Sequence, residues 1–306
     1  MHVVIMGSGG IGGYLGARLA AAGTDVSFIA RGTHLRAMRE TGLNVESALG
    51  DIHLEGVRAT DKPATLKRAD VVVFAVKLYD MEAAAQLIRP IVGPETVVVP
   101  FLNGVEAPAA IDTVLGENTS AGGVIRMSAT LVEPGLIRHI GTFATVTMGA
   151  LAQAQQTKLE AFQAALTEAG VDASLSDDIT AEIWKKMAFL APMSALTSLV
   201  RAPIGVVRAD EKLADLYMEA VKEAVRIAWA SGANLDADAD KQVWKFTQNL
   251  PADMPSSMQI DLENERRLEL DWLSGALVRM GKELNIKTPT HELVTTILGP
   301  RANGAI

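Results

Sequence analysis

Cysteine is missing from all 306 positions, which removes disulfides, thiolate metal sites and a cysteine nucleophile while leaving the redox compartment open. Histidine is scarce: His2, His34, His53, His139 and His291 form no pair at ligand spacing, so no metal site is expected. Positive charge is in deficit, with 28 Lys and Arg against 36 Asp and Glu and a formal net charge of -8. That balance argues against a nucleic-acid partner, because phosphate contacts need clustered cations, and points to a small molecule. Long apolar runs are also lacking: a stretch such as Val71 to Val76 is far short of the roughly 20 residues needed to cross a bilayer. No membrane association is expected. The start of the chain carries no charged leader region or cleavage site, and the expected location is the cytoplasm.

What is present begins with glycine. Val3, Val4 and Ile5 form a β-branched run that enters a cluster with Gly7, Gly9 and Gly12, and Ile11, Leu15 and Leu19 leave it at helical spacing. Strand, glycine turn and helix in that order are the context a dinucleotide fingerprint requires. Gly7 permits the tight turn, Gly9 lets backbone approach a pyrophosphate, and Gly12 allows close packing of helix on strand. The helix start then offers N–H groups and partial positive charge to the phosphates, so Gly7, Ser8, Gly9, Gly10, Ile11 and Gly12 are candidate cofactor-binding residues.

The second strand, Asp25 to Ala30, ends in Arg31. An acidic residue there would hold the ribose 2′-hydroxyl of NAD, whereas a basic one accommodates the 2′-phosphate of NADP; the sequence favours NADP(H), the alternative being that Arg31 is an ordinary solvated charge. A short helix from Thr33 to Glu40 and a hairpin of Leu43 to Ser47 with Asp51 to Glu55 follow. The runs Ala69 to Lys77 and Thr96 to Leu102 read as buried parallel strands whose carboxyl ends present Lys77 and Asn103, either ligand contacts or an ordinary surface lysine and an Asn-Gly turn. Alternating Thr, Val and Ile between Gly122 and Ala150 predict antiparallel strands turned at Pro134-Gly135, and a helix from Thr157 to Ala169 with a strand from Val171 to Leu175 completes this part.

From about Asp177 the periodicity becomes helical, with breaks near Pro203, Gly232, Pro251, Pro255 and Pro289. The expectation is two domains, residues 1–176 of dinucleotide-binding α/β type and residues 177–306 all-helical. On a helix beginning near Ala181, Ile183, Trp184, Met187, Leu190, Ala191 and Ser194 share a broad apolar face, with Lys186 at its edge and Lys185 pointing to solvent. Lys186 either finds an acceptor or a substrate, or extends along its stem to water. Near Pro255, Ser256 or Ser257 reads as an N-cap, and Glu263, Glu265 and Glu269 as a solvated face. Leu273 and Leu277 are either domain core or the face of a homodimer.

Taken together, these pieces resemble the ketopantoate reductase family over essentially the whole chain. The matching elements are the Gly7 to Gly12 loop, Arg31, Ala75-Val-Lys77, Leu102-Asn103-Gly104, Ala129 ahead of Pro134-Gly135, Glu182-Ile-Trp-Lys-Lys186, Ser256-Ser257-Met258 with Asp261, and Glu269 before Asp271-Trp272. The resemblance implies a Rossmann-type domain plus a helical domain of the 6-phosphogluconate dehydrogenase-like kind. It also implies NADPH-dependent reduction of a 2-oxo acid, with ketopantoate going to pantoate in pantothenate biosynthesis. Lys186 would be proton donor and substrate anchor, Asn103 would touch nicotinamide and substrate, Ser257 the substrate carboxylate, and Glu269 the nicotinamide end; Lys77 and Ala129 would join the cofactor site.

The family's asparagines four and eight residues beyond the lysine, and a third in the next loop, are replaced here by Leu190, Ser194 and Ile204. Each amide partner withdrawn from a buried hydroxyl costs about 1–3 kcal/mol. Either Ser194, Arg126 or Arg201 reads the substrate, or the substrate is a different, less polar 2-oxo acid; a non-catalytic NADP sensor is the third alternative. Ser257 and Glu269 on one straight helix would stand roughly 18 Å apart, so both serve one site only if Ser257 lies at the helix entrance or the helix bends.

Overall fold

The computed structural model describes residues 1–305 and divides into two compact units, one of residues 1–102 with 107–179, the other of residues 103–106 with 180–306. The first opens with β1 (His2–Met6), α1 (Gly10–Ala21), β2 (Asp25–Ile29), α2 (Gly32–Glu40), β3 (Leu43–Glu46), β4 (Ile52–Leu54) and β5 (Ala59–Thr60). It continues with β6 (Val71–Phe74), α3 (Met81–Ile88), β7 (Val97–Pro100), α4 (Ala107–Leu115), β8 (Gly122–Glu133), β9 (Leu136–Gly149), α5 (Gln156–Glu168) and β10 (Asp172–Leu175).

The β-branched runs become a five-stranded sheet in the order β5-β2-β1-β6-β7. Its pairings are all parallel, with Val3 opposite Val26 and Val71, and Val71 opposite Val97. Every residue of β1, β6 and β7 is buried, which is why these strands carry continuous apolar runs rather than alternation. Polar groups stitch the amino ends of its central strands: Lys158 of α5 at 2.8 Å and the His2 amide at 2.7 Å hold the Asp70 carboxyl below the usual carboxylate range.

The expected hairpin and antiparallel strands form, but as parts of one second sheet. The 43–55 hairpin and the 122–150 strands join β10 in one five-stranded sheet of order β10-β9-β3-β4, with β8 also on β9. The 14-residue β9 is antiparallel to β8 but parallel to β3 and β10. The chain therefore builds a mixed sheet where local alternation suggested only antiparallel pairs. Helix α1 packs against strands of both sheets, burying Tyr14, Leu15 and Leu19 completely. Burying a side chain of that kind contributes roughly 1.5–3 kcal/mol.

The second unit is helical: α6 (Ile179–Val200, reaching back one residue into the first unit), α7 (Ile204–Ala209), α8 (Glu211–Ala230), α9 (Ala239–Gln248), α10 (Ser257–Glu263), α11 (Ser274–Glu283) and α12 (Pro289–Leu298). Helix α8 is central, contacting α7, α9, α11 and α12 through buried Tyr217, Ala220, Val221, Ala224 and Ile227. Asp210 caps α8 by accepting from the Leu213 amide at 3.0 Å. The buried Glu223 carboxylate does the same for α12, accepting from the Thr290 and His291 amides at 2.9 and 3.1 Å. Leu273 and Leu277 are 2% and 0% exposed and belong to this core, so neither is available as a dimer face.

Candidate active site

In the first unit the predicted nucleotide residues gather at the carboxyl ends of the parallel strands, the place where open α/β sheets bind ligands. Gly7 leaves β1 with φ of +94°, a left-handed conformation that glycine adopts without strain, and a side chain there would stand 2.6 Å from the Ala75 carbonyl at the end of β6. Ser8 turns inward, its hydroxyl donating to the Ile29 carbonyl at 2.9 Å. Gly9 caps α1 and is the open position: nothing lies within 4 Å of where a Cβ would be. Its neighbours are closed, since a Cβ on Gly10 would come 2.1 Å from the Ala129 carbonyl and one on Gly12 2.2 Å from the Gly7 carbonyl.

The first turn of α1 has no capping side chain and no acidic residue. Its N–H groups and the partial positive charge of the helix start suit a pyrophosphate that reaches backbone at Gly9. These residues fit a dinucleotide. Ala129 is part of the same wall through its carbonyl, and Ile11 is partly buried on the first sheet's core. Arg31 caps α2, with a side chain 81% exposed and an ion pair to Asp80 at 3.2 Å. An exposed pair of this sort contributes about 0–1 kcal/mol, little enough for a phosphate to compete for the guanidinium. Lys77 follows β6 and is half-buried.

In the second unit, Asn103 donates through Nδ2 to Oε2 of buried Glu269 at 3.1 Å, joining residues 166 positions apart. A carboxylate only accepts, so the amide NH₂ faces Glu269 and the Asn103 carbonyl oxygen is turned away from it. Two further contacts fasten this segment: Glu106 with Arg279 at 2.8 Å, and Arg279 with the Asp271 carbonyl at 2.8 Å. Glu269 lies in the core side of a turn, which corrects the reading of residue 269 as part of a solvated face.

On α6, Lys185 is exposed and paired with Glu182 at 3.0 Å, while Lys186 is half-buried, as the helical phase requires. Leu190, one turn on, is partly buried. Ser194, two turns on, is fully buried and its hydroxyl has no hydrogen-bond partner among the described residues. Ile204 is fully buried at the start of α7 with its amide on the Met254 carbonyl at 3.0 Å, so it is core and does not line a substrate-tail pocket. Arg201 is exposed in the turn after α6 with φ of +52°, and Arg126 is an exposed residue of β8 in the other unit.

Ser257 and Glu269 do not share a helix, because α10 ends at Glu263 and a separate turn carries Glu269. Ser257 is exposed in the first turn of α10, and it is Ser256 that is buried as the N-cap, accepting from the Gln259 amide at 3.0 Å. Ser256 also contacts Thr197 at 2.7 Å, and Thr197 donates to the Met193 carbonyl at 2.7 Å. One proton per hydroxyl fixes the direction: Ser256 donates to Thr197, tying the start of α10 to α6 beyond Lys186. The adjacent serines of the sequence did not reveal which one did this. Among the described residues no group of three or more potential metal ligands gathers, and no helix is long and apolar enough to cross a membrane.

Two family models match, one described as ketopantoate reductase PanE/ApbA over residues 3–153 and one as its C-terminal part over residues 178–302. A 2-dehydropantoate 2-reductase of Mesorhizobium japonicum is 30% identical, covering 97% of both chains. An uncharacterized oxidoreductase, YkpB, of Bacillus subtilis is 26% identical over 96% of both. Among solved structures, a PanE/ApbA family ketopantoate reductase from Ralstonia eutropha is similar with a TM-score of 0.90 at 28% identity, covering 99% of this chain and 98% of that one.

Proposed function

The chain belongs to the ketopantoate reductase family, oxidoreductases acting on the CH–OH/C=O pair, and on that premise we propose that it reduces 2-dehydropantoate to pantoate with NADPH in the cytoplasm, a step of pantothenate biosynthesis. The observation that carries the reading is the Asn103–Glu269 contact, which fixes the orientation of the Asn103 amide in the same unit as a half-buried lysine at residue 186.

Gly7 to Gly12, Ala129, Lys77 and Arg31 would hold the nucleotide, with Asn103 and Glu269 at its nicotinamide end. When bound, the reduced nicotinamide supplies the hydride. Attack at the ketone carbon puts negative charge on the oxygen, and the Lys186 ammonium stabilises that oxygen and gives it a proton, so that C=O becomes CH–OH. The Asn103 carbonyl oxygen accepts from a carboxamide or a substrate hydroxyl. Ser257, exposed at the first turn of α10, supplies a hydroxyl for the substrate carboxylate.

A second reading is favoured by Leu190: an apolar side chain stands one turn beyond Lys186, which suits a less polar 2-oxo acid. NADPH oxidation by the purified protein against 2-dehydropantoate and a panel of branched aliphatic and aromatic 2-oxo acids separates the two. Selective turnover of 2-dehydropantoate is the expected result. Preference for an apolar acid replaces it with the second reading, and tight NADPH binding with no turnover of any acid would make the chain a nucleotide sensor.

A further inference from the structure

His34 stands in the first turn of α2 with both ring nitrogens engaged, Nε2 with the Ser8 carbonyl at 2.7 Å and Nδ1 with the Gly135 amide at 3.0 Å. Gly135 N–H can only donate and Ser8 C=O can only accept, so Nδ1 is the bare nitrogen and Nε2 carries the proton. The ring therefore bridges the glycine loop to the turn between β8 and β9 in its neutral form alone. Ser8 is held on its other side as well, since its hydroxyl and its amide both reach the Ile29 carbonyl, at 2.9 and 3.4 Å.

A trans peptide points its C=O and N–H in opposite directions. With the Ser8 carbonyl fixed on His34, the N–H of Gly9 points away from the ring, and Gly9 is the loop glycine with open space where a Cβ would stand. The geometry assigns His34 as the positioning residue of the nucleotide site: its neutral imidazole locks the Ser8–Gly9 peptide so that the Gly9 N–H faces a pyrophosphate, and it makes nucleotide affinity sensitive to acid. The assignment rests on the reading that a dinucleotide occupies this loop.

Protonation would place a hydrogen on Nδ1, facing the Gly135 N–H, and two donors cannot bond. Burial holds the ring below its ordinary value, opposed by the Ser8 carbonyl. Nε2–H still donates to Ser8 in the imidazolium, so acid removes the Gly135 anchor that fixes the ring; with a lowered folded value this anchor is complete above the ordinary histidine range and is lost as pH falls through the lowered one. The charged and titratable groups on the elements meeting at the ring are Arg31, Arg36, Arg39 and Glu40 on α2 with its cap, Arg126 and Glu133 on β8, and Arg138 and His139 on β9; the glycine loop carries none. Arg31 is committed to Asp80, Arg39 to the Ala59 carbonyl at 2.9 Å and Arg138 to Glu46 at 2.7 Å.

The test is NADPH binding, read by nucleotide fluorescence without substrate, in the parent, His34→Ala and His34→Gln between pH 7.5 and 5. At pH 7.5, His34→Ala is expected to weaken binding tenfold or more, with kcat at saturating NADPH within twofold of the parent. His34→Gln, whose amide donates and accepts but does not titrate, restores affinity to within threefold. The ratio of parent Kd to His34→Gln Kd then rises at least threefold toward acid pH, the nucleotide's own titration cancelling between the two. A flat ratio, or His34→Ala binding like the parent, overturns the assignment; if the alanine variant does not fold, the glutamine ratio decides. A parent that does not bind NADPH overturns the dinucleotide reading instead.

Discussion

The two glycines that flank the start of α1 make opposite demands, and alanine at each separates them. At Gly12 a Cβ would sit 2.2 Å from the Gly7 carbonyl oxygen, a backbone atom that cannot rotate aside. Reaching ordinary contact needs a displacement of more than about 1 Å in a packed loop, and overpacking of this kind costs about 1–3 kcal/mol or more. The gain in helix propensity from Gly to Ala is only about 1 kcal/mol. With the clash at the upper end of that range the net cost is about 2 kcal/mol, so Gly12→Ala is expected to lower the melting temperature by roughly 4–8 °C, at about 2–4 °C per kcal/mol for a unit of this size.

At Gly9 the backbone is extended, with φ of -76°, and nothing lies within 4 Å of a Cβ. Gly9→Ala should melt within about 4 °C of the parent, because glycine is the better N-cap by up to about 1 kcal/mol while the methyl meets no neighbour. Its methyl instead fills the space proposed for the pyrophosphate, and NADPH affinity should fall about 100-fold, equivalent to about 2.8 kcal/mol. Differential scanning fluorimetry and fluorescence titration of NADPH read the two quantities on the same samples. A Gly9→Ala protein that keeps both its melting temperature and its affinity would refute the assignment of the loop to nucleotide binding.

Lys186→Ala is expected to lower kcat by about 10² to 10⁴ in NADPH oxidation, whereas Lys185→Ala, which loses only the exposed pair with Glu182, changes it less than threefold; equal losses would undo the helical-phase assignment. Arg31→Ala should weaken NADPH at least tenfold and NADH little, measured by titration with each nucleotide, and parent protein that binds both alike removes the NADP reading. Glu223→Ala leaves two buried amides at the start of α12 without an acceptor, at about 1–3 kcal/mol each, and a midpoint in urea unchanged from the parent would contradict this.

His291, fully buried with Nε2 on the Ala220 carbonyl and Nδ1 on Ser274, is held below its ordinary value by burial, against the pull of Glu223. A lowered value means its contribution is whole above about pH 6.5 and fades below it, so stability falls toward pH 5 with a slope of up to about 1.4 kcal/mol per pH unit for this proton. A urea midpoint that does not move over that range would show that His291 takes up its proton in the folded protein as readily as in the unfolded chain.

Much of the first sheet was legible because its cause is short-ranged. Val3 to Ile5, Val71 to Phe74 and Val97 to Val99 are continuous apolar runs, and a strand covered on both faces needs nothing else to declare itself. The phase of Lys185 and Lys186 was legible for the same reason, since adjacent residues on a helix lie about 100° apart. The glycine spacing also reads directly, as an absent side chain is a property of the residue itself.

What only tertiary structure decided were pairings between distant residues. That β9 lies parallel to β3 and β10, that Ser256 rather than Ser257 is buried by Thr197, that Leu273, Leu277 and Ile204 are core, and that Glu269 meets Asn103 each depend on a partner far along the chain. Local patterning assigns a residue its element and face; burial and hydrogen-bond partners are set by which faces the folded chain brings together, and no single stretch contains that information.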